Sequence, residues 1–365
     1  MMPFKKFLLE GGAAGHMAHP FDLLSVNRGS DLISFFKKAY SSLKRSKGKK
    51  GFVKFDGVNV SIKLIQDDEG NFKFALDRGS NKELDIQGIT TDNIAQRFDA
   101  TTAGGQSMIK IGSFLLPIMD SAIQLILPEL KKLKMTTNAN RFLNTEYITG
   151  QTNVTQYDRN MIVFHGINEF FLAKSLKRGS ESRASKEVNY NVDVLNEMVN
   201  KLRPVFNQHG FEVFGPTSVD ISQPINFESI LNEPLKVVYS ANNIVTQPLL
   251  IWLKKATNPR GAKFTDNNGK SVSAMNKNNY LHVINGNPVD LITTDKNKQK
   301  LVVDGAILYH ATRLLGNAVL QGLSSSAGEL TKHEGIVLRD PTISSVPVKI
   351  TGEFIVTGMG SPFRK

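Results

Sequence analysis

The chain reads as an α+β protein built on antiparallel sheets, and three patterns point that way. Val58, Val60, Ile62 and Leu64 alternate with polar residues, Asp67 to Asn71 has turn chemistry, and Phe72, Phe74 and Leu76 alternate again, the signature of a β-hairpin. Leu32, Ile33, Phe35, Phe36, Ala39, Tyr40 and Leu43 fall at helical spacing, as do Val188, Val192, Leu195, Met198, Val199, Leu202 and Val205. Strand patterns gather at roughly 51–174 and again after 331, while the stretch between reads as mainly helical.

Each element follows from its local sequence. Residues 1–50 form a basic helical leader. Gly11, Gly12 and Gly15 make a joint ahead of HMAHPFD, and the helix over Leu32–Leu43 runs into SLKRSKGKKG. Lys44, Arg45, Lys47, Lys49 and Lys50 crowd that end, as either a solvated helix terminus or a contact for phosphates. His16 and His19, three apart, suit either a metal or hydrogen-bonded packing. After the hairpin, Ile109–Leu133 reads as a helix kinked at Pro117. Two short strands follow, RFLNTEYI from Arg141 and NMIVFHGI from Asn160. A polar linker (KSLKRGSESRASKE) opens an insertion over 175–330, with further helical patterns at 247–256 and 300–323 and Asn-rich loops between them. HEGIVLRD and VPVKITGEFIVTG close the chain as strands. The expected organisation is a leader over 1–50, a core made of 51–174 and 331–365, and a mostly helical insertion over 175–330.

Composition bounds the function. With 365 residues, 40% hydrophobic and 21% charged, the chain can bury a substantial core, which excludes wholesale disorder. Forty-five Lys and Arg against 33 Asp and Glu leave a net charge of +12, which favours a polyanionic partner. The absence of cysteine excludes disulfides, thiolate metal sites and a cysteine nucleophile. The most apolar stretch, Ser113–Leu130, is interrupted by Pro117, Asp120 and Glu129, so no membrane span is expected. The N-terminal apolar patch is too short for a secretory signal, and a cytoplasmic location is expected.

The chemistry centres on Lys54-Phe55-Asp56-Gly57, at the entrance to the hairpin. A lysine is a nucleophile once its amine loses the proton, which neighbouring cations or a metal favour. Asp56 can orient that amine, and Gly57 allows backbone to approach a phosphate closely. Taken alone, Lys-x-Asp-Gly also describes a surface turn. Arg78 and Lys349 taken alone are solvated strand ends, Glu146 a partner for a lysine, and Phe164 a core ring.

Together these strings carry a resemblance. VKFDGVNVSIKL is similar to motif I of the covalent nucleotidyltransferases, the superfamily of ATP-dependent DNA ligases, RNA ligases and mRNA capping enzymes. LDRGS resembles the arginine-bearing motif that follows, FLNTEYI motif III, MIVFHGIN the next aromatic strand, HEGIVLRD motif IV and VPVKITG motif V, all in family order. The opening GGAAGHMAHPFD resembles ligase-like proteins of tailed phages. The resemblance covers under half the chain. It implies an adenylation domain of antiparallel sheets around a nucleotide cleft, with a large insertion. It also implies ATP with Mg2+ or Mn2+ as cofactors and nucleic-acid ends, RNA somewhat favoured, as partner. Lys54 would form lysyl-AMP, assisted by Asp56 and Lys349. Arg78 and Glu146 would contact ribose and phosphates, Phe164 would stack on the purine, and Glu334 would organise the metal. Lys54, Glu334 and Lys349 should line one pocket.

The sequence departs from the family at several points. Pro347 stands where a second motif V lysine is usual, and Thr145 where glycine usually precedes the acid. The stretch between Phe164 and Glu334 is much longer than in the family. Too few residues follow Lys349 for the C-terminal OB domain of DNA ligases and capping enzymes, so none is expected. Two other functions fit the same residues: a nucleic-acid-binding or virion-associated protein that keeps the fold without the chemistry, and a GTP-dependent guanylyltransferase.

Overall fold

A computed structural model of the chain describes residues 17–150, 157–174, 181–240, 243–323 and 334–352. It is an α+β structure of antiparallel sheets and helices, divided into two compact units. The division falls at 54/55 and 217/218. The leader helix thus groups with residues 218–352, and the first part of the expected insertion groups with 55–217. His16, the glycine joint, part of the 175–187 linker and the strand pattern beyond Gly352 lie outside the described residues.

The chain starts in the second unit with α1 (Gly29–Ser46) and β1 (Gly51–Lys54). Leu32, Phe35, Phe36, Ala39 and Leu43 form the buried side of α1, as the spacing predicts. Asp31 caps its start by accepting the amides of Asn27 and Arg28, each at 2.9 Å. The last turn carries Lys44 and Arg45, which complement the negative end of the helix dipole.

The first unit is built on a six-stranded sheet. Its strands are β2 (Val58–Gln66), β3 (Phe72–Leu76), β4 (Arg141–Ile148), β5 (Met161–Lys174), β6 (Glu181–Glu187) and β7 (Glu212–Phe214). They run in the order β3-β2-β4-β5-β6, with β7 added parallel to β5. The expected hairpin joins β2 to β3 through Asp67, whose carboxylate accepts the amides of Glu69 and Asn71. Between β3 and β4 come α2 (Glu83–Gln87), α3 (Ile94–Arg97), α4 (Ala103–Ser121) and α5 (Ile123–Lys132), and α6 (Val192–Asn207) follows β6. Helices α4, α5 and α6 cover one face of the sheet, where Val60, Ile62, Leu64, Leu76, Leu143, Ile162, Phe164 and Ile167 form one core with Leu116, Ile126 and Leu202.

Two expectations change here. The helix expected to kink at Pro117 passes through that residue and breaks at Ala122, where α4 and α5 meet at 87°. The end of α4 is anchored: the Asp120 carboxylate accepts the Phe74 amide of β3 at 2.6 Å, and Ser121 Oγ bonds back to the Ile118 carbonyl. Because of this corner, no single helix among the described residues is long and apolar enough to cross a membrane. Second, the 175–330 stretch carries more residues in helices than in strands, but it also contributes β6 and β7 to the first sheet and several further strands to the second unit.

Those strands are β8 (Ser218–Val219), the pair β9 (Pro234–Ser240) and β10 (Asn243–Pro248), and the pair β11 (Lys263–Thr265) and β12 (Ser271–Ser273). Beyond the insertion come β13 (Gly335–Leu338) and β14 (Val348–Ile350). A four-stranded antiparallel sheet in the order β14-β13-β1-β8 carries the unit. The helices α7 (Phe227–Leu231), α8 (Leu249–Lys255) and α9 (Lys277–Ile284) pack with α1 around the 26-residue α10 (Lys296–Gln321).

Candidate active site

In the second unit, β1 ends at Lys54, opposite Gly335 at the start of β13. The Glu334 amide donates to the Lys54 carbonyl at 2.8 Å. The same residues meet again through their side chains: the Lys54 ammonium donates to Glu334 Oε2, with the side chains 13% and 10% exposed. Two strings separated by 280 positions are thereby joined. Gly335 makes the approach of the next strand possible. Its φ is +148°, and a Cβ there would collide with the Ile350 carbonyl oxygen of β14.

Register fixes the surroundings. Ser218 pairs with Phe52, Phe52 with Val337 and Val337 with Lys349. Residues directly opposite in a sheet project to one face, and the period along a strand is two. Ser218, Phe52, Val337 and Lys349 therefore share the face that carries Lys54, while Val53, Ile336 and Ile350 are buried on the other. Arg339 adds a cation to the first face, its guanidinium 4.8 Å from the Phe52 ring centroid. Lys349 thus shares the face of Lys54 but stands two strands away, so the predicted trio comprises one direct pair and one neighbour.

Beside this face, the buried Asp340 accepts hydrogen bonds from Lys50 Nζ at 2.7 Å, Ser42 Oγ at 2.5 Å and Thr342 Oγ1 at 2.7 Å. Burial alone would raise its pKa, but these donors hold the carboxyl below the ordinary range. Lys50 is therefore committed to an internal ion pair. His19, offered as a metal ligand by sequence, stacks on Phe21 with ring centroids 5.1 Å apart, in keeping with the packing alternative.

In the first unit, the face of the sheet opposite the core carries Asn59, Ser61, Asn144 and Glu146 beside the buried Phe142–Phe170 pair. Glu146 on β4 pairs with Asn59 on β2, and Asn59 Nδ2 donates to Asn144 Oδ1 at 2.8 Å and to Glu146 Oε2 at 3.4 Å. Arg78 reaches the same place, NH1 donating to the Asn59 carbonyl at 2.7 Å. Burial lowers the pKa of its guanidinium while Asp85 and Glu146 act in the opposite sense. That is the single side-chain hydrogen bond of Arg78 among the described residues. Gly57 completes the cluster, because a Cβ there would lie 2.8 Å from Glu146 Cγ. The preceding residues are held separately: the Asp56 amide donates to the Tyr157 hydroxyl at 2.8 Å, and the Phe55 ring packs near Tyr157, His165 and Phe214.

Below Arg78, Asp77 is fully buried and accepts a bidentate pair from Arg183, at 2.9 and 2.7 Å, together with Lys63 Nζ at 3.1 Å. Asp85 receives Arg97 through Nε and NH2, at 3.1 and 2.8 Å. The LDRGS loop is thus braced by two buried carboxylates.

Phe164 follows the alternation of Ile162 into the core, and His165, which had no sequence signal of its own, comes beside Glu146. A β-bulge shifts the β4–β5 register between Asn144 and Thr145, so Phe164 pairs with Thr145, Gly166 pairs with Asn144, and His165 is the extra residue. Phe164, 0% exposed, stays in the core with Ile162, so its ring has no open face for a purine. His165 is turned onto the face of Glu146, its Nε2 3.7 Å from Glu146 Oε2. Gly166 inside a strand pattern is the signal that could have located the bulge.

Among the described residues, no group of three or more His, Asp or Glu side chains is arranged to hold a metal ion. Glu334 presents one carboxylate beside Lys54.

Compared with known proteins, the chain matches no family model, no curated protein and no solved structure.

Proposed function

We propose that the protein is an ATP-dependent nucleotidyltransferase with a ligase-type adenylation fold, which forms lysyl-AMP at Lys54 and passes AMP to a nucleic-acid 5′-phosphate. The observation that carries this reading is the Lys54–Glu334 pair, which unites the strings resembling motifs I and IV. In the reaction, the Lys54 amine attacks the α-phosphorus of ATP. A P–N bond forms, the bond from the α-phosphorus to the bridging oxygen breaks, and pyrophosphate leaves. The ammonium must first lose its proton, and before substrate arrives Glu334 holds the amine at a fixed position. When magnesium accompanies the nucleotide, it would supply charge neutralisation on the phosphates, with Glu334 as its protein carboxylate. Arg339 and Lys349, on the face of Lys54, offer cations to charge developing on phosphate oxygens. The resemblance assigns Arg78 and Glu146 to the nucleotide and Asp56 to orienting the amine.

The test is incubation with ATP or GTP labelled at the α-phosphate, with magnesium or manganese. Covalent label from ATP supports adenylyl transfer, and RNA or DNA with a 5′-phosphate should then discharge it. Label from GTP would indicate a guanylyltransferase. Absence of label with both would leave a nucleic-acid-binding protein that retains the Lys54–Glu334 pair without the chemistry.

A further inference from the structure

We infer that the exposed side of α1, the Lys47–Lys49 loop and the cleft beside it form a docking track for a nucleic-acid backbone that leads to the Lys54 face. Lys37, Lys38, Lys44 and Arg45 are exposed on the side of α1 opposite its buried stripe, and Lys47 and Lys49 continue the row. The one acid in α1 is Asp31, in its first turn. Glu228 pairs with Lys37 at 3.0 Å and also interacts with Lys254 of α8, so even there two cations meet one carboxylate. The helix dipole accounts for basic residues in the last turn, but not for Lys37, Lys38, Lys47 or Lys49. From Lys37 to Lys47 the row extends about 15 Å at the helical rise, enough for several phosphates of one strand.

The loop itself adds a second observation. Lys47 occupies the left-handed region, φ 48° and ψ 50°, at the C-cap where glycine is the usual residue. It lines a cleft of about 350 Å³ with Gly48, Ser218, Val219, Asp220, Ile221 and Ser222. Two hydroxyls and the lysine suit a sugar–phosphate backbone, and Asp220 is the one carboxylate there. Ser218 also pairs with Phe52, one strand from Lys54 and two residues short of it, roughly 8 Å between Cα positions. The cleft lies at the β8 edge of the sheet, where Ser218 stands on the face of Lys54, so a strand of nucleic acid bound along α1 reaches that face by passing round this edge. An anionic membrane fits this surface less well, since the apolar residues of α1 are buried and none of that side is left for insertion.

The choice of nucleic acid rests partly on the proposed end-joining chemistry, so the experiment reads binding and labelling separately. Full-length protein is titrated against fluorescent single-stranded and duplex oligonucleotides, RNA and DNA, over a range of salt. The variant carries K44A, R45A, K47A and K49A together, none of them in the site. Its affinity is expected to fall at least tenfold at low salt. The slope of log K against log salt should flatten by about 3, at roughly 0.7–0.9 for each phosphate no longer neutralised. Covalent labelling by ATP should be unchanged. The charge-preserving K44R/K47R/K49R variant should keep the wild-type slope, which separates lost charge from lost fold. An unchanged slope in the alanine variant overturns the inference, as does saturable binding of wild type to phosphatidylserine vesicles with none to oligonucleotide. A flattened slope in a protein that never labels would uphold the track while the proposed chemistry fails.

Discussion

Gly57 approaches Glu146 so closely that a single added methyl group would lie 2.8 Å from the Glu146 Cγ and 2.6 Å from Ile148 Cγ1. The glycine of the Lys-x-Asp-Gly string therefore has a steric role inside the first unit, where it leaves room for the carboxylate of FLNTEYI. Gly57→Ala should destabilise the protein by about 1–3 kcal/mol, as overpacking of a closed site does, read as a lower thermal midpoint. An unchanged midpoint would mean that Glu146 is free to move aside.

Gly335 should tolerate substitution even less. Its positive φ, and the Ile350 backbone carbonyl standing where a methyl group would have to go, leave no flexible side chain to yield. Gly335→Ala should cost ~2 kcal/mol or more and detach β14 from β13, measurable as faster amide exchange at Ile350 and Val348.

Breaking the brace under Arg78 should be costly in a different way. Arg183→Ala leaves the fully buried Asp77 with Lys63 and the Gly79 amide as its remaining donors. A loss of about 2–4 kcal/mol is expected, because one partner of a buried ion pair is removed while the other stays buried. Replacement by lysine should restore only part of it, since lysine cannot reproduce the bidentate fork.

Stability should fall as the medium becomes mildly acidic. His310 is buried on α10, its Nδ1 3.2 Å from the Tyr280 hydroxyl. Burial, assisted by Arg313, lowers its pKa to about 4. An unfolded histidine titrates at about 6.5, so between those values the unfolded chain binds a proton that the native chain refuses. This contribution is therefore present above the unfolded pKa and is lost as pH falls from about 6.5 toward 4, on the order of 3 kcal/mol in all. His310→Gln should flatten that part of the profile of thermal midpoint against pH, and an unaltered profile would assign it to other groups. Asp340 adds a second, more acidic loss. Its lowered carboxyl pKa stabilises the fold above the unfolded value of about 3.9 and ceases to do so as pH falls below that.

Some of this architecture was legible from the sequence because single residues carry strong local signals. The stripe from Leu32 to Leu43 can be buried only as a helix, and Asp67 to Asn71 can hardly do other than turn. The corner at Ala122 was not legible, because it is set by the Asp120–Phe74 hydrogen bond, across chain positions that no local pattern links. Strand β6 was missed because ESRASKE has no apolar alternation, and its pairing with β5 supplies what its side chains do not. In the candidate site, Lys54 and Glu334 were placed by their strings, and Arg78 with Glu146 gathered at Asn59. Phe164 proved to be the core ring that its place in an apolar strand allows, in alternation with Ile162, and His165, the extra residue of the bulge, stands beside Glu146 without any signal of its own in the sequence.

Whether Lys54 carries the nucleotide is tested most directly by peptide mapping with mass spectrometry after incubation with ATP and magnesium. The expected result is one AMP joined through an acid-labile P–N bond to the peptide containing Lys54, absent from a folded Lys54→Ala variant and much slower to form in Glu334→Gln. An adduct on any other residue, or one that persists in Lys54→Ala, would contradict it.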